Sequence, residues 1–345
     1  MSLISNFHRV DNEIQFKIKN KNTYKVCLIN ALRRIILANL NTYSIDRDSV
    51  KFYENSSIFN DDYLSHRLSL IPCFTDFFEK KDADEVRFEC NKTNDNIDIF
   101  NLTAKDIEVF YKDEKIDNSK VFTFPDSIIC RLKYKNHLHF SCKIKKGSLK
   151  EGGAGFSPVS QVSYNFERDE GKIKEVINEM KKKDEIKNDL EADNFILKKG
   201  DRIYKTEKNA EPSIYNFTIE STGVIKVKDI FRLACDYLID KCNKNINNEI
   251  YSEESKINMK AYDFIFEDED DTLGNLLQKY LFDDSNVDYV GYLIPHPMER
   301  KMNLRISLKK DKFTDKDCRL AINNILKKII KITKELKDSY LANFK

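Results

Sequence analysis

The sequence lacks the features of a membrane-spanning or secreted protein. No stretch reaches the roughly 20 consecutive apolar residues that a membrane-spanning helix requires. Near the N-terminus, Asp11 and Glu13 stand where a signal peptide would carry its apolar segment. With 41% hydrophobic positions in 345 residues, the chain can still bury a substantial core. It is therefore expected to be a soluble intracellular protein without a membrane partner.

An excess of charge of one sign is also missing. The chain has 59 Lys and Arg residues against 57 Asp and Glu residues, which gives a net charge of +2. A dedicated nucleic-acid coat or a polybasic membrane binder carries a strong positive field instead. Contact with nucleic acid is therefore expected to be local, or indirect through a larger complex.

Clustered cysteines are absent. The eight cysteines stand at least seven positions apart, and no CxxC pair occurs among them. Zinc ribbons and related structural zinc sites are built from such pairs. We therefore predict reduced, buried thiols, and neither a metal nor another cofactor.

No catalytic constellation is recognisable. P-loop and GxGxxG fingerprints are missing, and neither His66 nor His296 has a Ser, Cys or second His at a spacing that suggests catalysis. The acidic run at 267–271 is one contiguous segment, whereas a two-metal centre needs carboxylates that converge from separate elements. We expect Asp271 or Thr272 to cap a helix that begins there. The chain is therefore not expected to be an enzyme by itself, and a metal-dependent nuclease is the weakest alternative.

Apolar periodicity predicts the same succession of elements twice. The first copy has strands and helices at 13–19, 23–40, 214–221 and 227–242. The second copy has them at 261–267, 272–282, 287–295, 302–308 and 314–341. The final helix of each copy carries an apolar stripe suited to packing against another helix. The simplest architecture is an α+β fold in which two related domains pair as a pseudo-dimer inside one chain.

Two segments interrupt the first copy. Short strands and turns dominate residues 46–160, which predicts a β-rich insert. Its end, 147–160, holds four of the nine glycines, so the backbone there needs unusual dihedrals or approaches another segment closely. Residues 168–211 carry 24 charged side chains and predict a peripheral or mobile excursion, with an exposed helix over much of 172–191. We therefore divide the chain into a first half, 1–250, whose dimerisation subdomain comprises 1–45 and 160–250, and a second half, 251–345.

A small polar patch interrupts the first apolar helix. At about 100° per residue, Asn30, Arg33, Arg34 and Leu37 share one side of it. Adjacent arginines on a helix are usually a solvated edge. The apolar surroundings favour a protein partner instead, and a freestanding nucleic-acid-binding module that grips phosphate is a further alternative.

Several motifs resemble the α-like RNA polymerase subunits. NALRR at 30–34 and NSSIFNDDYLSHRLSLIP at 55–72 resemble the defining motif of this family, which includes the third-largest subunit of eukaryotic polymerase II, its archaeal counterpart and bacterial α. GAGFSPVS at 153–160 and FTIESTG at 217–223 resemble the same family. The resemblance implies a dimerisation fold interrupted by an inserted domain.

The last third resembles the small partner of that protein, which is the eleventh subunit of polymerase II or its archaeal counterpart. The matching segments are EDEDDTLGNLLQKYL at 267–281 and NVDYVGYLIPHPMERKMNLRI at 286–306. Two subunits that are normally separate chains are therefore expected to be joined here. Such a fusion is similar to the arrangement in large cytoplasmic DNA viruses, which implies a location in the host cytoplasm and the virion.

The resemblance implies a role in assembly. The two α-like moieties would pair and form the platform on which the second-largest and then the largest catalytic subunits of DNA-directed RNA polymerase dock. Small zinc-binding polymerase subunits would be further partners, and DNA would be reached only through the complex. The interface residues carried over by position are Asn30, Arg33, Arg34, His66, Arg67, Leu70, Pro72, Phe156, Ser157, Pro158, Gly274, Asn275, Gly291 and Tyr292.

The residues themselves leave simpler roles open, and the sequence departs from the family at several points. Gly274 and Gly291 can equally serve close backbone packing, and residues 70–72 can be core and turn. The clustered cysteines that many relatives carry in the inserted domain are dispersed here. Asp271 replaces a usual histidine and Ser69 a usual glycine, so contacts at those points are expected to differ.

Overall fold

A computed structural model describes residues 3–20, 23–207, 210–248, 250–254, 260–296, 298–310 and 312–344. Pro297, in the segment 286–306 that carries part of the resemblance, lies outside these ranges. We call the described residues up to 248 the front half and those from 250 the back half. No helix in the described ranges is long and apolar enough to cross a membrane.

The described residues form a mixed α and β structure. The strands are β1 (Ile4–Val10), β2 (Glu13–Lys19), β3 (Thr42–Ile45), β4 (Lys51–Asn55), β5 (Val86–Thr93), β6 (Phe100–Thr103), β7 (Glu108–Tyr111), β8 (Glu114–Ile116), β9 (Ile128–Leu132), β10 (His137–Gly147), β11 (Val159–Phe166), β12 (Ile214–Ser221), β13 (Tyr251–Glu254), β14 (Tyr262–Glu267), β15 (Val287–Leu293) and β16 (Lys301–Leu308). The helices are α1 (Val26–Ala38), α2 (Asp61–Ser69), α3 (Thr75–Phe78), α4 (Leu149–Gly152), α5 (Glu170–Lys182), α6 (Asp189–Lys199), α7 (Val227–Asn247), α8 (Asp271–Leu281) and α9 (Asp315–Leu341).

Two four-stranded antiparallel sheets have the same topology. The front sheet has the order β1-β2-β12-β11 and the back sheet has the order β13-β14-β16-β15. In both, a helix follows the second strand and another follows the fourth, so α1 corresponds to α8 and α7 corresponds to α9. The repeated succession of elements predicted from periodicity is therefore present in the fold, with additional first strands, β1 and β13, that the periodicity did not indicate.

One hydrophobic core joins the two halves. Helix α7 packs against α9 and α1 packs against α8, and their buried apolar side chains belong to a single cluster with both sheets. Tyr340 at the end of α9 is fully buried against the front half. Its ring lies 5.4 Å from that of Phe16 and 4.9 Å from that of Phe231, and its hydroxyl donates to the Lys228 carbonyl at 3.1 Å. Buried aromatic contacts of this kind contribute strongly to an interface.

A second core lies in the segment between α1 and β11. It contains the sheet β3-β10-β5-β7-β8, with β4 also paired to β10, and the two-stranded sheet β6-β9. Strand β3 belongs to this segment because Ile45 pairs with Ile144 on β10, so the β-rich region starts at Thr42, before the expected residue 46. Strand β11 pairs with β12 in the front sheet.

The charged segment contains two helices, whereas the sequence predicted one over much of 172–191. Helix α5 ends at Lys182, and Asp184 has a left-handed backbone (φ 57°), which ends the helical path. The side chain of Asn188 then accepts from the Glu191 amide and starts α6. Ile173 and Ile186 are buried, so parts of this segment are shielded from solvent.

Candidate functional site

Helices α1 and α8 run antiparallel across the contact between the halves. Near the end of α1, Arg34 Nε donates to Thr272 Oγ1 in the first turn of α8 at 2.9 Å. Before the start of α1, Lys25 Nζ donates to the Lys279 carbonyl in the last turn of α8 at 2.6 Å. The Tyr280 hydroxyl also donates to the Thr23 carbonyl at 3.1 Å. One of the predicted interface residues, Arg34, therefore bonds within the chain.

The start of α8 brings two other predicted residues together. Tyr292 lies over Gly274, where an added Cβ would be 2.5 Å from Tyr292 Cδ2. The Tyr292 hydroxyl donates to Asp271 Oδ1 at 3.2 Å, and burial together with this carboxylate raises the pKa of Tyr292. An added Cβ at Gly291 would be 2.8 Å from the Tyr289 hydroxyl. Both glycines therefore permit close packing.

Asn30 and Arg33 remain half-buried on the same face of α1. Arg33 Nε donates to Asn30 Oδ1 at 3.0 Å, which fixes the two side chains relative to each other. Asn275 is likewise half-buried on α8. These three residues lie at positions from which a partner can reach them.

The glycine-rich loop closes around Phe156. Added Cβ atoms at Gly147 and Gly152 would lie 3.0 Å and 2.3 Å from its ring, and Gly153 has φ +86°. An added Cβ at Gly155 would lie 2.1 Å from the Ser69 carbonyl oxygen. The predicted need for unusual dihedrals and close approach is confirmed at these positions.

The segment after this loop is bound to the turn that precedes α7. The Pro158 carbonyl accepts from the Thr222 amide at 3.2 Å, and Thr222 Oγ1 donates to the Ser157 carbonyl at 3.2 Å. Phe156 and Pro158 are buried, with Phe156 only 6% exposed. Their side chains hold the loop in place, so contact with another subunit at this loop would involve its exposed residues 150–154.

Helix α2 presents the predicted residues in two different ways. Arg67 is bound internally, because its Nε and Nη2 donate to the Ile129 and Ile128 carbonyls of β9, both at 2.8 Å. His66 is exposed, and Leu70 is 41% exposed. Pro72 is half-buried, and its carbonyl accepts from the Thr123 amide. Among the predicted residues here, His66 on α2 and Leu70 just after it are therefore the exposed ones.

A largely apolar cavity of about 700 Å³ lies beside Arg67, and sequence reasoning did not find it. It lies between the loop at 56–59 and strand β9, and Ile58 at its rim is 74% exposed. Arg131 and Lys133 also line it. The signal in the sequence was the pair of apolar residues Ile58 and Phe59 in a loop that is otherwise rich in polar residues.

The acidic run is tied to cations of the front half. Glu269 forms a buried ion pair with Lys241 at 2.7 Å and accepts from Asn245 Nδ2 at 2.9 Å. Asp270 forms an ion pair with Lys150 at 2.7 Å. Within the described ranges no group of three or more His, Cys, Asp or Glu residues is placed to hold a metal ion. Glu269 and Asp270 are therefore each paired with a lysine of the front half.

The cap of α8 is Asp270, and the expectation of Asp271 or Thr272 was wrong. The Asp270 side chain accepts from the Thr272 amide at 2.9 Å, because Asp270 is the last extended residue before the helix. Burial raises the pKa of Asp270. Hydrogen bonds from Lys150 and Thr272, together with the positive charge of Lys150, lower this pKa by more. The net result is a pKa well below the usual value.

All eight cysteines are buried and free, as predicted. Burial raises the pKa of the Cys73, Cys90 and Cys318 thiols to about 12. A thiol with such a pKa carries almost no thiolate at neutral pH, which makes it unreactive.

Comparison with known proteins places these features in a family. The model of the RNA polymerase Rpb3/Rpb11 dimerisation domain matches residues 22–242, and a second model with the same description matches residues 261–339. The first match extends over more than half of the chain and includes β11 and β12 of the front sheet, and the second includes β14, β15 and β16 of the back sheet.

Three relatives show which polymerase subunits this chain is similar to. The chain is 27% identical over 239 residues to "DNA-directed RNA polymerase subunit Rpo3" of Pyrococcus horikoshii, which covers 64% of this chain and 89% of that protein. It is 26% identical over 175 residues to "DNA-directed RNA polymerase II subunit RPB3" of Schizosaccharomyces pombe, covering 45% of this chain and 57% of that protein. It is 54% identical over 48 residues to "DNA-directed RNA polymerases I and III subunit rpc19" of Dictyostelium discoideum, covering 14% of this chain and 41% of that protein. The chain thus spans only part of the Schizosaccharomyces and Dictyostelium relatives.

Proposed function

This chain belongs to the RNA polymerase family defined by the Rpb3/Rpb11 dimerisation domain, and we propose that it is a non-catalytic assembly platform of a multisubunit DNA-directed RNA polymerase. Nucleotidyl transfer would take place in the large subunits. The observation that carries the proposal is the presence of two dimerisation-domain matches on two sheets of identical strand order that share one core.

The halves would be the covalently joined counterpart of two paired α-like subunits. The antiparallel contact of α1 with α8 and the packing of α7 on α9 support this reading, because each contact joins two elements that correspond in the two halves. Joining the halves raises the effective concentration of each for the other. Pairing would then be independent of protein concentration.

The docking surface for the large subunits would include the exposed predicted residues. These are His66 on α2, Leu70 just after it, and Asn30 and Arg33 on α1, together with Ile58 at the rim of the apolar cavity that Arg67 of α2 lines. The second-largest and largest subunits would bind there, with small zinc-binding subunits as further partners. The complex would contact DNA, and for a viral polymerase of this type it would work in the host cytoplasm and be packaged in the virion.

Affinity purification of a tagged chain from cells that assemble the native polymerase tests this function. We expect the two large subunits to co-purify in near-equal amount with the chain. The Ile58→Asp variant should reduce their recovery at least tenfold, because it places a charge at the rim of the apolar cavity. Leu190→Asp is the matched control, because Leu190 is similarly exposed but lies on α6.

Full recovery of the large subunits with Ile58→Asp would remove this cavity from the docking surface. Failure of the unaltered chain to recover either large subunit would refute the proposed function itself.

A further inference from the structure

Corresponding positions in the two halves carry opposite charges. Lys25 is the last residue before α1, and Asp270 is the last residue before α8. Since α1 and α8 correspond in the two topologies, Lys25 and Asp270 occupy equivalent places. The two halves are therefore not electrostatically interchangeable at the start of this helix.

Lys25 meets an opposite charge just after the end of α8, and Asp270 meets one on α4, which packs beside α1. Lys25 forms an ion pair with Asp283, which closely follows α8, and Lys25 is almost fully shielded from solvent. Asp270 forms an ion pair with Lys150, which lines one polar cavity together with Asn39 just after α1. The antiparallel arrangement thus places one ion pair at each end of the α1–α8 contact.

The same geometry predicts what happens when two identical halves meet. In a contact of two front halves, Lys25 of one would face Lys150 of the other, at both ends. In a contact of two back halves, Asp270 would face Asp283, again at both ends. Like charges brought together at a partly desolvated contact are strongly unfavourable, and natural interfaces use such repulsion to exclude wrong partners.

A further ion pair near this contact also has its cation in the front half and its carboxylate in the back half. Lys241 of the front half meets Glu269 of the back half, and both side chains are nearly buried. In one pair the cation is in the back half instead: Lys337 meets Asp236 of the front half. This pair lies in the separate contact of α7 with α9. The asymmetry therefore concentrates at the α1–α8 contact and next to it.

We propose that these charges determine partner choice between halves. The front half presents cations at both ends of α1 and accepts a helix with carboxylates at both ends, while it repels a second copy of itself. This inference rests on the pairing of halves in the proposed function but does not depend on docking of the large subunits. Ion pairs with partly exposed members, such as Lys25–Asp283 and Lys150–Asp270, add little net stability, so a role in choosing the partner accounts for them better.

Charge reversal in the full chain tests the proposal. One chain carries Lys25→Glu with Lys150→Glu, and a second, differently tagged chain carries Asp270→Lys with Asp283→Lys. In each chain alone the halves repel, but the two chains together can exchange halves and restore all four ion pairs. We expect co-expression to yield a two-chain complex, recovered through both tags at least tenfold above two wild-type chains.

A single chain with all four reversals should return to a monomer of wild-type melting temperature, apart from the loss of the Asp270 cap. The chain with Asp270→Ala and Asp283→Ala, which loses the cap without introducing a cation, provides the matched control for that cap. A chain with Lys105→Glu and Lys115→Glu, which changes exposed charges elsewhere, should give no two-chain complex.

Two results would overturn the proposal. One is co-expression of the reversed chains that yields no more two-chain complex than the wild type. The other is a melting temperature of the chain with all four reversals that is no higher than that of the chains with two reversals. A two-chain complex that forms while the wild-type chain never recovers the large subunits would support partner choice and reject only the proposed function.

Discussion

Replacing Gly155 with alanine should push the glycine-rich loop away from the end of α2. The added Cβ would lie 2.1 Å from the Ser69 carbonyl oxygen and 2.8 Å from Ser44 Oγ, and both atoms are fixed by a hydrogen bond of 2.6 Å between them. The backbone must therefore move by about 1 Å, with an overpacking cost of about 1–3 kcal/mol. Loss of the Ser44 hydrogen bond adds about 1 kcal/mol.

We therefore expect Gly155→Ala to lower the free energy of unfolding by about 2–4 kcal/mol, read from urea midpoints at an unchanged m-value. Gly171→Ala is the control. That position, near the start of α5, has space for a Cβ, with one atom at 3.4 Å, so we expect an unchanged or slightly higher stability. A Gly155→Ala protein within about 0.5 kcal/mol of the wild type would refute the close contact with Ser69, since surface changes away from special features usually fall in that range.

Three other substitutions each test one contact of the structure. Leu336→Ala should cost about 2–5 kcal/mol in urea unfolding, because this fully buried residue packs α9 into the shared core; a cost well under that range would place α9 elsewhere. Arg67→Lys should lower the melting temperature, because an ammonium group cannot reach both β9 carbonyls in the same geometry, and an unaltered melting temperature would contradict these bonds. The low pKa of Asp270 stabilises the folded state above the unfolded pKa of about 4, and this contribution disappears as the pH falls further. Asp270→Asn should therefore be less stable than the wild type at neutral pH, with a difference that shrinks as the pH falls below about 4, and a difference independent of pH would argue against the Lys150 contact.

Much of the fold follows from local sequence pattern. The alternation at 13–19 and 214–221 places Phe16 and Phe217 on the buried face of adjacent strands, as period-two patterns predict. The apolar stripes of α7 and α9 predicted helices that pack together, and they do. Patterns of this kind reflect burial, and burial decides the structure of these segments.

The features that local pattern did not predict depend on turns, caps and contacts between distant segments. The charged segment breaks at Asp184 because of a turn and a cap that its composition does not reveal. Arg34 was predicted to face another subunit, yet Thr272, 238 positions away in sequence, accepts its hydrogen bond. Asp270 is the cap in place of its neighbours because it is the last extended residue before the helix, and Lys150 of the front half then pairs with its carboxylate. Which of the other predicted interface residues meet a large subunit stays a prediction.

The order in which the two packed helices leave the ribosome follows from their places in the chain. Helix α7 is complete at Asn247, but α9, which covers its apolar stripe, is not complete until Leu341. At about 5–20 residues per second, translation of the intervening segment takes roughly 5–20 s. During that interval the nascent front half exposes an apolar surface, so newly made chains should depend on chaperones that hold it until the second partner is synthesised.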